Sequence, residues 1–202
     1  MDCSVQNAMM ARPIAFNRPK AVNRALLMFW RKGYQATSLA DLLEAMHISR
    51  SSFYAAFIDK RSFFIECLDL WAARTMHLLQ DTRLEVPPVD ALQNFFERSF
   101  VGVRGAGAKT NWGCMLVNTV LEMADVDDEL AARASRHLSD MQLVFQDCLH
   151  EAGASPAQAE EIAAMLMLFN EGIRVSSRRR LPDAQHLHTI DATFRLIRSA
   201  IA

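Results

Sequence analysis

Three features of the sequence predict an all-α fold. The 202 residues include only seven Gly and six Pro, about half the usual share of roughly 12% and too few turn-formers for a sandwich or barrel. The 29 Ala and 22 Leu outweigh 27 β-branched Val, Ile and Thr, a balance that favours helix over sheet. Apolar residues also recur at three- and four-residue spacings through most of the chain, the period of a half-buried helix. The length suits one large domain or two small ones sharing a core.

The elements follow in order. Residues 1–17 show no periodicity and are expected to form a mobile arm. From Pro19, suited to a first helical turn, the stripe Val22, Ala25, Leu26, Phe29 and Trp30 predicts a helix stopped by Gly33. Ser38 with Asp41 three residues on predicts a capped second helix with Leu39, Leu42, Leu43 and Met46 inside. His47 follows it, a residue type that tolerates positive φ. Ser49 caps a third segment, Arg50 to Phe57, that turns Phe53 and Phe57 inward. Two short helices joined by three residues make a helix-turn-helix.

Longer helices are predicted beyond it. Lys60 to Glu85 ends where Pro87 disfavours helical geometry at Val86. Val89–Val103 precedes a Gly-containing loop, and Cys114–Ala124 and Asp127–Ala152 come next. Ser155, Pro156 and Gln158 combine a cap, a first-turn Pro and a capping-box partner, a strong start signal. The last helix repeats Leu187, Ile190, Phe194, Ile197 and Ile201.

Charge is divided unevenly along the chain. Residues 1–65 carry a net +5 and residues 66–202 a net −6, the asymmetry expected when one end meets phosphate. Cys3, Cys67, Cys114 and Cys148 lack the spacing of a zinc knuckle or a disulfide framework, so reduced thiols in the cytoplasm are expected. The sequence has no apolar run of membrane-spanning length and no signal-peptide pattern. It also lacks a phosphate-binding Gly loop, a metal-ligand spacing and a nucleophile-base constellation, so neither an enzyme nor a cofactor or metal is expected.

The run Gly33-Tyr34-Gln35-Ala36-Thr37-Ser38, followed by Ile48-Ser49-Arg50-Ser51-Ser52-Phe53-Tyr54-Ala55-Ala56-Phe57 and Asp59-Lys60, resembles the DNA-binding domain of the TetR (tetracycline-repressor) family. Arg12-Pro13 and Phe16-Asn17 are similar to the arm of one branch of that family, with Ala11 and Ile14 departing from it. Trp112 to Thr119 and Glu171 to Val175 look like pieces of its effector domain. The resemblance implies an arm at 1–17, a three-helix helix-turn-helix domain at 18–64 and a larger helical effector-binding and dimerisation domain at 65–202. Its implied partners are double-stranded operator DNA, a small-molecule effector and a second copy of the chain, without a membrane.

Residue chemistry fits those roles. A recognition helix needs a slim polar leading half for the major groove and an apolar back. Arg50, Ser51 and Ser52 suit the groove, with Arg50 able to take a guanine edge. Arg12, Thr37, Ser38, Ser49, Tyr54 and Lys60 are expected to join them, chiefly at phosphates. Soft and aromatic side chains mark a candidate effector pocket at Phe96, Phe100, Trp112, Met115, Asn118, Thr119, Glu122, Phe145 and Met165, with Phe95, Met123 and Met141 nearby. The last two helices carry long apolar seams, expected to pair across a two-fold axis through Phe169, Ile173, Phe194 and Ile197. The leading expectation is a ligand-released repressor on a palindromic operator. The alternatives are a thiol-based redox or electrophile sensor acting through Cys114, placed near a helix start where a thiolate is favoured, and a helical ligand-binding protein that no longer reads DNA.

Overall fold

The computed structural model describes residues 16–101, 112–179 and 182–201. Among them the regular structure is helical and no strand occurs. The helices are α1 (Arg18–Lys32), α2 (Leu39–Met46), α3 (Arg50–Ala56), α4 (Lys60–Glu85), α5 (Pro88–Val101), α6 (Met115–Met123), α7 (Asp128–Glu151), α8 (Pro156–Ser176) and α9 (Asp183–Ile201). Arg12, Cys3 and the loop expected between Val103 and Trp112 fall largely or wholly outside the described residues.

Short polar side chains set the boundaries of the first helices. Asn17 accepts the Lys20 N–H at 3.0 Å and opens α1. Ser38 and Asp41 form the reciprocal capping box of α2, each meeting a backbone N–H that the helix leaves unpaired. His47 ends α2 in the left-handed region at φ 55°, ψ 48°. The Ser49 hydroxyl accepts the Ser52 N–H at 3.1 Å, and Asp59 accepts the Ser62 N–H at 2.7 Å to start α4.

The first three helices and the start of α4 close over an aromatic nucleus. Phe29, Phe53, Phe57, Phe63 and Phe64 are all buried, with ring centroids 4.1 Å apart for Phe57 and Phe63 and 4.9 Å for Phe29 and Phe64. In the body, α5 packs back on α4, and α7 lies between α6 and α8. Phe95, Phe96, Phe145 and Phe194 are fully interior there. Arg61 at the head of α4 reaches Asp127 at 2.9 Å and Glu129 at 2.8 Å. Farther along α4, Asp69 accepts Arg133 at 2.6 Å and His137 at 2.9 Å. These ion pairs fasten α4, the one helix shared by both ends, to α7.

Candidate nucleic-acid interface and ligand cavity

The face built by α2, the turn and α3 is polar and exposed. Arg50, Ser51 and Tyr54 point outward from α3, and Arg50 makes no ion pair among the described residues. Ser38, Ser49 and Ser52 lie on the same edge, but their hydroxyls are engaged. Ser38 donates to Asp41 at 2.8 Å, and Ser49 is within 2.9 Å of both the Ser51 and Ser52 hydroxyls. Thr37 requires a correction: it is completely buried, and its hydroxyl donates to the Gly33 carbonyl at 2.6 Å. It therefore holds the turn and is not presented to phosphate. Lys60 is half-buried, with its ammonium 4.2 Å from the centre of the Tyr34 ring. Burial pushes its pKa down, partly countered by Glu122 and Asp41.

The face is hung on the body at two points of α1. Gly33 ends the helix at φ 86°, a conformation that Gly adopts without the usual steric cost. Just beyond it, the Glu122 carboxylate of α6 accepts the N–H of Tyr34 at 3.0 Å and of Gln35 at 2.8 Å. The second point is Trp30. Its indole N–H donates to the Gly113 carbonyl at 3.1 Å, and its ring lies 4.5 Å from Trp71 of α4 and 5.0 Å from Trp112.

Trp71 also forms part of a half-open cavity of about 360 Å3 in the body, within the size range of small-ligand pockets. Helix α4 gives it Trp71, Arg74, Thr75 and Leu78, while α5 gives Phe95, Arg98 and Ser99. Asn170 and Arg174 of α8, Met141 of α7, Gly113 and Cys114 complete the wall. Arg174 is buried, which lowers its pKa by desolvation. Its Nη1 donates to the Ser99 carbonyl at 2.9 Å, its Nη2 to the Ser99 hydroxyl, and its Nε to Asn170 Oδ1 at 3.4 Å.

None of the nine residues expected to line an effector pocket lines this cavity. Phe96, Met115 and Phe145 are interior packing, and Phe100 is buried with its ring 4.7 Å from His186. Thr119 bonds back to the Met115 carbonyl at 2.8 Å, and Asn118 donates to the Trp112 carbonyl at 2.7 Å. Trp112 packs on Trp30 and Glu122 serves the α1–α2 turn. Met165 is 68% exposed on α8 and lines a separate surface groove between α8 and α9. Phe95 and Met141, grouped with them in sequence, do line the cavity. Sequence reading missed Arg174 and Asn170, although both interrupt the apolar stripe of α8 at helical spacing from Leu166, Met167 and Ile173, and that interruption was a usable signal.

The expected dimer seam shifts in the same way. Phe194 is fully buried against Phe96, with ring centroids 5.5 Å apart, and Ile173 and Ile197 are also buried. These three stabilise the body itself. The apolar surface of α8 and α9 is carried instead by Met165, Leu168 and Leu196, which are 68%, 70% and 73% exposed, beside half-buried Phe169. Cys114 is buried and caps α6 without a side-chain hydrogen bond. Burial pushes the Cys67 thiol up, and that of Cys148 to about 11.

Among the described residues no helix is long and apolar enough to cross a membrane, and no cluster of three or more His, Cys, Asp or Glu could hold a metal. Comparison with known proteins gives a consistent result. Residues 22–67 match the N-terminal family model of bacterial regulatory proteins of the tetR family. Residues 88–193 match the C-terminal domain of LmrA/YxaF-like transcriptional regulators. The HTH-type transcriptional repressor ComR of Escherichia coli (strain K12) is 28% identical over 192 residues, covering 92% of this chain and 90% of ComR. A cysteine mutant of the TetR family transcriptional regulator CifR, complexed with 26-bp double-strand operator DNA, superposes with a TM-score of 0.76 at 25% identity, covering 91% of this chain and 98% of that one. The regulatory protein TetR from Rhodobacter sphaeroides gives the same TM-score at 22% identity over 87% of this chain and 95% of that one, a likeness of fold. With its C-terminal match alone spanning more than half its length, the chain belongs to the TetR family of DNA-binding transcriptional regulators.

Proposed function

We propose that the chain is a homodimeric, cytoplasmic repressor, without catalysis or cofactor, that leaves its operator when a small molecule enters the cavity between α4, α5 and α8. The carrying observation is Trp71, which belongs to the cavity wall and packs at a tilt against Trp30 of α1. A ligand that displaces Trp71 moves the helix that bears the DNA face. Paired recognition helices must meet half-sites about 34–36 Å apart, so a shift of a few ångströms in each head prevents both from seating together. The ligand then binds free protein more tightly than operator-bound protein by the factor through which it weakens DNA binding.

In this reading residues 18–64 are the DNA-binding domain and 65–202 the ligand-binding and dimerisation domain. Arg50, Ser51 and Tyr54 touch DNA, while Ser38, Ser49 and Ser52 hold the helix starts in position beside the phosphates. Met165, Leu168, Phe169 and Leu196 form the two-fold seam, because an exposed apolar strip along two adjacent helices is stabilised by a copy of itself. Genomic footprinting with the purified chain tests the reading. A near-palindromic site upstream of neighbouring genes is expected, and protection of random DNA with no recurring motif would refute it.

A further inference from the structure

Arg174 has no carboxylate partner among the described residues, and the Cys114 thiol on the same wall is the one acidic group that acts on it. A buried ion is strongly disfavoured unless paired, and guanidinium stays protonated in proteins. Yet its partners are the Ser99 carbonyl, the Ser99 hydroxyl and the Asn170 amide oxygen, all neutral, and no ion pair to it exists among the described residues. Of its five N–H donors three are used, one on each nitrogen, so one remains on each Nη.

Independent observations converge on the same wall. The Trp71 indole N–H is buried without an acceptor, and an orphaned buried donor is costly. The charged residues lining the cavity are Arg74, Arg98 and Arg174, with no Asp or Glu among them. The remainder of the lining is mainly apolar, through Leu78, Phe95 and Met141.

We infer that the cavity takes a monoanionic organic acid, with a carboxylate oxygen on one free Nη donor of Arg174 and its apolar body among Leu78, Phe95 and Met141. Ser99 occupies the end-on fork, and a carboxylate oxygen can take a remaining N–H as a charge-assisted hydrogen bond. Arg98 is paired with Glu85 and Arg74 is exposed, so Arg174 is the one buried cation of the wall and matches a single negative charge. The inference rests on the reading of this cavity as the effector site and gives that effector its chemical class.

Calorimetric titration of the full chain with straight-chain carboxylates from acetate to decanoate, with benzoate, and with the matching primary amides tests it. One or more acids are expected to bind, with the corresponding amide weaker by about tenfold or more. In Arg174→Met the acid and its amide should bind alike. If that variant does not fold, Arg174→Gln, which keeps polar donors and loses the charge, should likewise bind the two alike. Absence of acid binding at millimolar concentration, or equal binding of acid and amide to the unaltered chain, would overturn the assignment. Acid binding that appears only after Cys114→Ala would also overturn it, by making the Cys114 thiolate the native counter-charge. Operator release, followed separately by anisotropy, keeps the two readings apart. Acid binding without release supports the anion site and removes the effector role. Release by amides alone supports the effector role and overturns the anion.

Discussion

The Glu122 carboxylate lies where residue 33 has no side chain: a Cβ on Gly33 would stand 2.5 Å from Glu122 Oε2. The missing methyl group therefore lets α6 hold the α1–α2 turn through the N–H groups of Tyr34 and Gln35. Gly33→Ala should cost about 1–3 kcal/mol for an unfavourable φ alone and also expel the carboxylate. Glu122→Ala removes an acceptor from two N–H groups, one of which water can still reach, and should cost about 1 kcal/mol. Urea unfolding measures both. Each variant should also reduce the ligand's effect on operator affinity more than the affinity itself, and an unchanged ligand response would refute the coupling.

Arg50 and Lys60 should separate in DNA binding. Arg50→Ala is expected to relax preference at one base pair in each half-site, at a cost of about 1–3 kcal/mol. Lys60→Ala should weaken all sequences alike and lower the salt slope by about one. An unchanged slope would show that the lysine stays over Tyr34 in the complex and contacts no phosphate. Selection from random DNA and salt titrations provide the measurements.

Substitutions on α9 should distinguish the seam from the interior. Leu196→Glu places a charge on exposed apolar surface and should yield folded monomers with poor operator affinity. Phe194→Ala opens a hole beside Phe96 and should cost about 3–5 kcal/mol of stability. Sedimentation combined with circular dichroism reads both, and a Leu196→Glu dimer would place the interface elsewhere.

Acid should loosen the joint between α4 and α7. The Arg61 hydrogen bond holds the Asp127 pKa below the ordinary carboxylate range, helped by the Leu130 N–H. For Asp69, burial raises the pKa, but its bonds to Arg133 and His137 outweigh that and leave it lowered. A lowered folded-state pKa means stability that is complete above the unfolded value of about 3.9 and is lost as pH falls through the folded value. Unfolding on acid titration should therefore begin below about pH 4. Asp127→Asn keeps a capping side chain and removes the charge. It should flatten the acid dependence while preserving helix content at neutral pH, and an unchanged acid profile would show that this pair contributes nothing.

The DNA-facing end was legible in sequence because its signals are local. Ser38 with Asp41, Ser49 and Asp59 each cap the helix that follows at a distance of three residues, and the Lys60–Glu85 bounds agree with those the sequence predicts. The cavity was not legible in the same way. Periodicity states which residues of α6 share a face but not what that face meets. Met115 and Thr119 thus read as pocket wall and proved to be interior, while Glu122 reaches a turn 88 residues away in sequence. Phe194 was misplaced for a related reason: a stripe wide enough for both a core and a partner does not reveal where one ends. Thr37 looks like a phosphate ligand in any motif match, and only its bond to the Gly33 carbonyl shows otherwise.

The chain has three tryptophans, and Trp30, with Trp71 on one side and Trp112 on the other, gathers all of them at the junction of head and body. The whole tryptophan emission of the protein, and much of its near-ultraviolet dichroism, therefore originates at the joint that must move during signalling. Occupancy of the cavity and rotation of the head can both be followed optically in the unlabelled protein, on the timescale of the motion itself.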